Sequence, residues 1–130
     1  MSDIFNLEII KPDQTFLKSE ANEVTIPAFE GLMTILKNHI HLVTFLRPGF
    51  IEVKKNDNYE KYYVEEGTVE FSDNTLLILS SSVKNKKDFS SEEISKMIID
   101  AKEKISKDNL DDKIKYVLSY KIDALNEINK

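Results

Sequence analysis

A chain of 130 residues, 41% hydrophobic and 32% charged, has the composition of one packed domain, or of one small domain with an appendage, and not of a disordered chain. Acids outnumber bases 23 to 18, giving a net charge of −5, so no concentrated positive surface is available for nucleic acid. Cysteine is absent, which excludes disulfides, thiolate metal sites and thiol nucleophiles, and no apolar run approaches the roughly 20 residues that span a bilayer. The stretch from Met1 to Leu7 has neither a positive region nor a long apolar segment, and Arg47 is the only arginine, whereas a mitochondrial presequence is arginine-rich. The expectation is a bacterial cytoplasmic protein made without an address label.

From Phe5 to about Ser81 the apolar residues recur at every second position in short bursts, each the mark of a strand with one wet face. Phe5, Leu7 and Ile9 alternate with Asn6 and Glu8; Ile51 and Val53 with Glu52 and Lys54; Val69 and Phe71 with Thr68 and Glu70. Turn signals separate them at Lys11-Pro12-Asp13, Pro27, Pro48-Gly49, Asn56-Asp57-Asn58, Gly67 and Ser72-Asp73-Asn74. Short strands so often interrupted predict an antiparallel β-sandwich or barrel. Leu42 to Leu46 and Leu76 to Leu79 are apolar on both faces, which predicts central strands covered on both sides.

Between these bursts His39 and His41 stand two residues apart. On a strand they would share a face, with Glu30 as a third metal ligand. No other histidine and no cysteine exists to complete such a site, so a ring hydrogen-bonded to loop backbone is the stronger reading.

Residues 83 to 89, Val83-Lys84-Asn85-Lys86-Lys87 among them, read as a short solvated linker. The period then changes. Ser90-Ser91-Glu92-Glu93 supplies an N-cap serine with glutamate three residues on, and Phe89 and Ile94 form a hydrophobic staple, so a helix starts near Ser91. Its apolar stripe is Ile94, Met97, Ile98, Ala101 and Ile105. A second cap at Asp108 or Asn109, with Asp111 and Asp112 in the first turn, opens another helix carrying Leu110, Ile114, Val117, Leu118, Leu125 and Ile128 on one side. Two helices so closely joined fold back antiparallel. The fold class is therefore β + α: an N-terminal antiparallel sandwich over 1–85 and a C-terminal antiparallel two-helix hairpin over 86–130. A hairpin this small needs a surface to lie against. Tyr116 and Tyr120, four apart and off the main stripe, are either a surface pair or a second contact face. Lys121 lies within the stripe and can snorkel its amine to water.

The order Pro27, Glu30-Gly31, Ile35-Leu36, His39, Leu42, Thr44, Leu46, Pro48-Gly49 and Ile51-Glu52-Val53 resembles the epsilon subunit of bacterial ATP synthase, the counterpart of the mitochondrial delta subunit. Glu66-Gly67-Thr68-Val69-Glu70-Phe71 with Asn74-Thr75-Leu76-Leu77-Ile78-Leu79, and the opening Phe5-Asn6-Leu7-Glu8-Ile9-Ile10 to Phe16, are similar to other strands of that family. The resemblance covers nearly the whole chain. It implies a non-catalytic subunit of the rotor stalk, peripheral on the cytoplasmic face of the bacterial inner membrane and held there only through the complex. Its implied partners are the gamma subunit and the polar loops of the c-ring, with the catalytic alpha and beta subunits as further partners of the hairpin. The implied c-ring contact is Phe29, Glu30, Gly31, Leu32 and His39.

Departures narrow these expectations. Asn38 stands where the family has glycine, and Ile40-His41 replaces Ala-Pro. The helical stretch Ile94-Ser95-Lys96-Met97-Ile98-Ile99 lacks the aspartate and arginine of the family's ATP-binding motif, so no nucleotide or other cofactor is expected. From Asp88 onward eight lysines face ten acids, which disfavours attraction to an acidic catalytic head and hence inhibition by the hairpin. No nucleophile-base pair, P-loop or dinucleotide fingerprint occurs. The competing reading is a stand-alone β-sandwich ligand-binding module with a helical tail, which would need a cleft of convergent polar and aromatic groups; the five tyrosines are dispersed and tryptophan is absent.

Overall fold

The computed structural model describes residues 3–107 and 109–128. Ten strands come first: β1 (Phe5–Lys11), β2 (Gln14–Ala21), β3 (Glu23–Ala28), β4 (Gly31–Leu36), β5 (Leu42–Leu46), β6 (Gly49–Lys55), β7 (Asn58–Val64), β8 (Gly67–Ser72), β9 (Thr75–Leu79) and β10 (Lys84–Asn85). Two helices follow, α1 (Ser91–Ile105) and α2 (Asp112–Ile128). The strands form two layers, β4-β3-β6-β7-β10 and β5-β8-β9-β1-β2, bridged where the end of β3 pairs with β5 through Ala28 and Leu46. All pairings are antiparallel except β1 with β9.

The two-residue period explains the core. Leu7 and Ile9 of β1, Val24 and Ile26 of β3, Ile51 of β6, Phe71 of β8 and Leu76 and Ile78 of β9 all point between the layers and are buried. The turns follow from side chains that tolerate positive φ. Asp73 (φ 50°) and Asn74 (φ 54°) both adopt the left-handed conformation that a tight two-residue hairpin requires. Asn38 does the same at φ 67°. Its N–H donates to Asn74 Oδ1 at 2.7 Å and Asn74 Nδ2 donates back to its Oδ1 at 3.0 Å, so the two turns brace each other.

Four local expectations need correction. Pro27 is inside β3, opposite Leu32, and its carbonyl accepts the Arg47 N–H at 2.9 Å; it marks no turn. Residues 83–89 are not a free linker, because Val83 is in the sandwich core, Lys84 and Asn85 pair with β7, and Lys86–Asp88 form a 3-10 turn capped by Asn85. The second helix begins at Asp112, and Asp111 caps it by accepting the Lys113 N–H at 3.0 Å; Asp108 lies outside the described residues and Asn109 precedes the helix. Finally, β5 and β9 are covered on one face only: Val43 and Phe45 are 61% and 60% exposed, and Leu79 also faces solvent. An apolar residue at an outward position says that the position suits an apolar neighbour, not that this chain supplies one.

Gly67 sits between β5 and β9, where a Cβ would stand 2.7 Å from the Leu79 carbonyl oxygen and 3.0 Å from Leu46 Cδ1. Neither a strand carbonyl nor a core leucine can yield easily. Gly67→Ala is expected to lower sandwich stability by about 1–3 kcal/mol in a denaturant titration.

Candidate functional site

The two layers differ in what covers their outer faces. On the β6–β7 face, outward Phe50 and Tyr63 carry the hairpin. Tyr63, 1% exposed, clusters with Ile94 of α1 and Ala124 and Leu125 of α2, with Phe89, Met97, Ile98 and Ile128 around them. The start of α1 and the end of α2 thus share one contact, as an antiparallel pair must. Ser90 caps α1, accepting the Glu93 N–H at 3.1 Å, but the Glu93 carboxylate turns to Lys84 Nζ at 3.1 Å, tying the helix start to β10. Of the residues assigned to the packing face, Ile94, Ala101, Leu118 and Leu125 are buried and Met97, Ile98, Ile105, Leu110, Val117 and Ile128 are half-buried. Ile114 is 48% exposed, whereas Ala124, which the pattern omitted, is buried.

A second set of contacts fastens α2 to the sandwich. Tyr116 stacks on Phe29 with ring centroids 5.8 Å apart, and its hydroxyl donates to the Phe29 carbonyl at 2.7 Å. Tyr120 packs edge-on against Tyr116, and the Arg47 guanidinium lies 3.8 Å from the centre of the Tyr120 ring. Arg47 is buried; Nη1 donates to the Pro48 carbonyl at 3.0 Å, and Nε has no partner among the described residues. The ring face therefore supplies much of what water would otherwise give this cation. Lys121 does not snorkel to water: its amine lies 3.3 Å from Glu65 Oε2, the same oxygen that accepts the Tyr63 hydroxyl at 2.9 Å. Burial, and then the charge of Glu65, raises the Tyr63 phenol above its ordinary value. Arg47→Ala is expected to weaken hairpin docking by about 2 kcal/mol, seen as faster proteolysis within α1 and α2 with the sandwich resistant.

The other layer is bare. Exposed Val43 and Phe45 of β5 and exposed Leu79 and half-buried Leu77 of β9 flank Thr68 and Glu70 of β8 on its outer face. Phe45 and Leu79 continue into an open groove of about 740 Å³ near the start of α2.

The five residues expected at the c-ring do not make one patch. Phe29 and Glu30 form the β3–β4 turn, followed by Gly31 and Leu32 at the start of β4; His39 follows the far end of β4, about 17 Å away along the strand. Phe29 is engaged by Tyr116, and Glu30 Oε2 accepts the Thr44 hydroxyl at 3.3 Å, while Leu32 is 71% exposed. His39 and His41 lie in the β4–β5 connection, not on a strand. His39 Nδ1 is 2.8 Å from the Ile40 carbonyl and its ring meets Phe71 edge-on, whereas His41 reaches Glu70 at 3.5 Å. Among the described residues no three histidines, cysteines or acids lie close enough to hold a metal ion, and no helix is long and apolar enough to cross a membrane.

Sequence reasoning missed Arg47, Tyr63 and Glu65 as docking residues. The solitary arginine was the one available signal. It also read Val43, Phe45 and Leu79 as core.

The family described as "ATP synthase, Delta/Epsilon chain, beta-sandwich domain" matches residues 4–86. The chain is 42% identical over 130 residues to the ATP synthase epsilon chain of Pelagibacter ubique, covering 99% of this chain and 100% of that one. It is 34% identical over 101 residues to the ATP synthase epsilon chain of Leptospira borgpetersenii, covering 78% and 79%. In fold it is similar to a chain of the Euglena gracilis mitochondrial ATP synthase, OSCP/F1/c-ring assembly, with a TM-score of 0.81 at 19% identity, covering 100% of this chain and 84% of that one.

Proposed function

The chain belongs to the family of ATP synthase delta and epsilon chains, as a rotor-stalk subunit of that complex, and from that premise we propose how it works there: without catalysis of its own, it grips the gamma subunit and meets the c-ring, carrying torque between them. The observation that carries this is the bare apolar face of Val43, Phe45, Leu77 and Leu79, a hydrophobic strip of the kind that marks a protein contact. The opposite layer is occupied by the chain's own hairpin, so this face is the one left for gamma.

The c-ring contact is assigned to the turn Glu30-Gly31-Leu32. His39 belongs instead to the far end of the sandwich, and Phe29 to the anchorage of α2. Residues 1–85 do the binding. Helices α1 and α2, fastened through Tyr63, Tyr116, Tyr120 and Lys121, are held back from the alpha and beta subunits in this docked arrangement. The protein sits at the membrane through the complex, on the cytoplasmic side.

Copurification tests the assignment. From gently solubilised membranes the chain should emerge with gamma and the catalytic head; its recovery alone, with gamma in another fraction, would refute it. Leu32→Asp, at an exposed position, should leave thermal stability within about 0.5 kcal/mol of the parent and reduce the coupling of ATP hydrolysis to proton pumping in membrane vesicles. Loss of folding in that variant would show that Leu32 has a packing role instead.

A further inference from the structure

We propose that the groove at the hairpin end of the bare face is a socket for one bulky apolar side chain of the gamma subunit, flanked in its own chain by lysine or arginine; this rests on the seat proposed above. Phe29, Phe45, Leu46 and Leu79 wall the groove, which at about 740 Å³ admits an aromatic ring together with its neighbours. Glu66, Thr68, Ser80, Ser81 and Lys113 of α2 also line it, so part of the wall belongs to the docked hairpin.

Charge selects the occupant. The outward positions of this layer carry Glu8 of β1, Glu20 of β2 and Glu70 of β8, with Glu66 at the groove, against Lys18 of β2 and Lys113. Glu8 is opposite Lys18 in the β1–β2 pairing, which leaves the remaining acids in excess. A second copy of this chain would bring the same acids face to face. A partner with an apolar anchor and basic neighbours meets both features of the surface.

The chain has no cysteine, so a single thiol is easily placed. Ser81→Cys puts one at the groove and Val43→Cys puts one on the face outside it, each labelled with a benzophenone and irradiated in complex with gamma. The Ser81 probe should mark a bulky apolar residue of gamma that has a lysine or arginine within four residues. Thr68→Trp, which fills the groove from an exposed position, should weaken gamma binding at least tenfold. If only the Val43 probe marks gamma, or Thr68→Trp binds as tightly as the parent, the socket is refuted while the seat stands; if neither probe marks gamma, both fall. A Ser81 cross-link to a second copy of this chain, or to an acidic segment of gamma, would also overturn the inference.

Discussion

Tyr63→Ala is expected to free both helices while leaving the sandwich folded. Tyr63 is on β7, but its ring points away from the sandwich core, into a cluster with Ile94, Ala124 and Leu125 and edge-on to Phe89 at 5.4 Å. Truncating a buried ring of this size costs about 3–5 kcal/mol, and nearly all of that falls on docking, because the sandwich core is made by the opposite face of the same strand. Amide hydrogen exchange should show α1 and α2 losing protection while β1, β3, β8 and β9 keep theirs. Uniform loss of protection would mean that the two parts unfold as one unit, and no loss would mean that the cluster does not hold the hairpin.

The hydroxyl can be separated from the ring. Tyr63→Phe keeps the packing and removes only the bond to Glu65, so a cost of about 1 kcal/mol is expected. It also isolates a pH effect. The phenol is raised in the docked state by burial and by Glu65, against about 10 when undocked. Below pH 10 both states keep the proton and the docking contribution is fully present. Above pH 10 the undocked state ionises first, so docking should be lost progressively as pH rises toward the docked-state value. Above pH 10 the parent chain should therefore release its helices more readily than Tyr63→Phe does. Equal alkaline sensitivity of the two would place the responsible group elsewhere.

The second large effect concerns assembly. Val43→Asp with Phe45→Asp should reduce affinity for gamma by at least about a hundredfold and leave the isolated chain's stability nearly unchanged. Both side chains are more than half exposed, so charging them exposes no core. In a complex, two carboxylates would be trapped against an apolar partner on a face that already carries Glu70. Isothermal titration with gamma measures this directly. Wild-type affinity in the double variant would remove the gamma seat from this face; a folding defect would show that β5 is needed in the core after all.

These two experiments bear on opposite faces of one sandwich, and that opposition is where sequence and tertiary structure part. The alternation of Phe5, Leu7 and Ile9, the asparagines and aspartate at the tight turns, and the Ser90–Glu93 start of α1 are local signals, legible because each depends on neighbours within a few residues. So was the resemblance in Glu30-Gly31 and Pro48-Gly49. The apolar side chains of β5 and β9 were misread because a strand's period shows which residues share a face but not what lies over it.

What the sequence determined by itself was the succession of strands and then helices, and the family to which that succession belongs. Tertiary structure decided which layer the helices cover, and that Arg47, Phe29 and Glu65 receive Tyr120, Tyr116 and Lys121. Those contacts join residues separated by tens of positions, and no local periodicity encodes them. They exist because a thin helical pair must bury its apolar side somewhere, and the β6–β7 face receives it with Phe50 and Tyr63, beside which Glu65 pairs with Lys121.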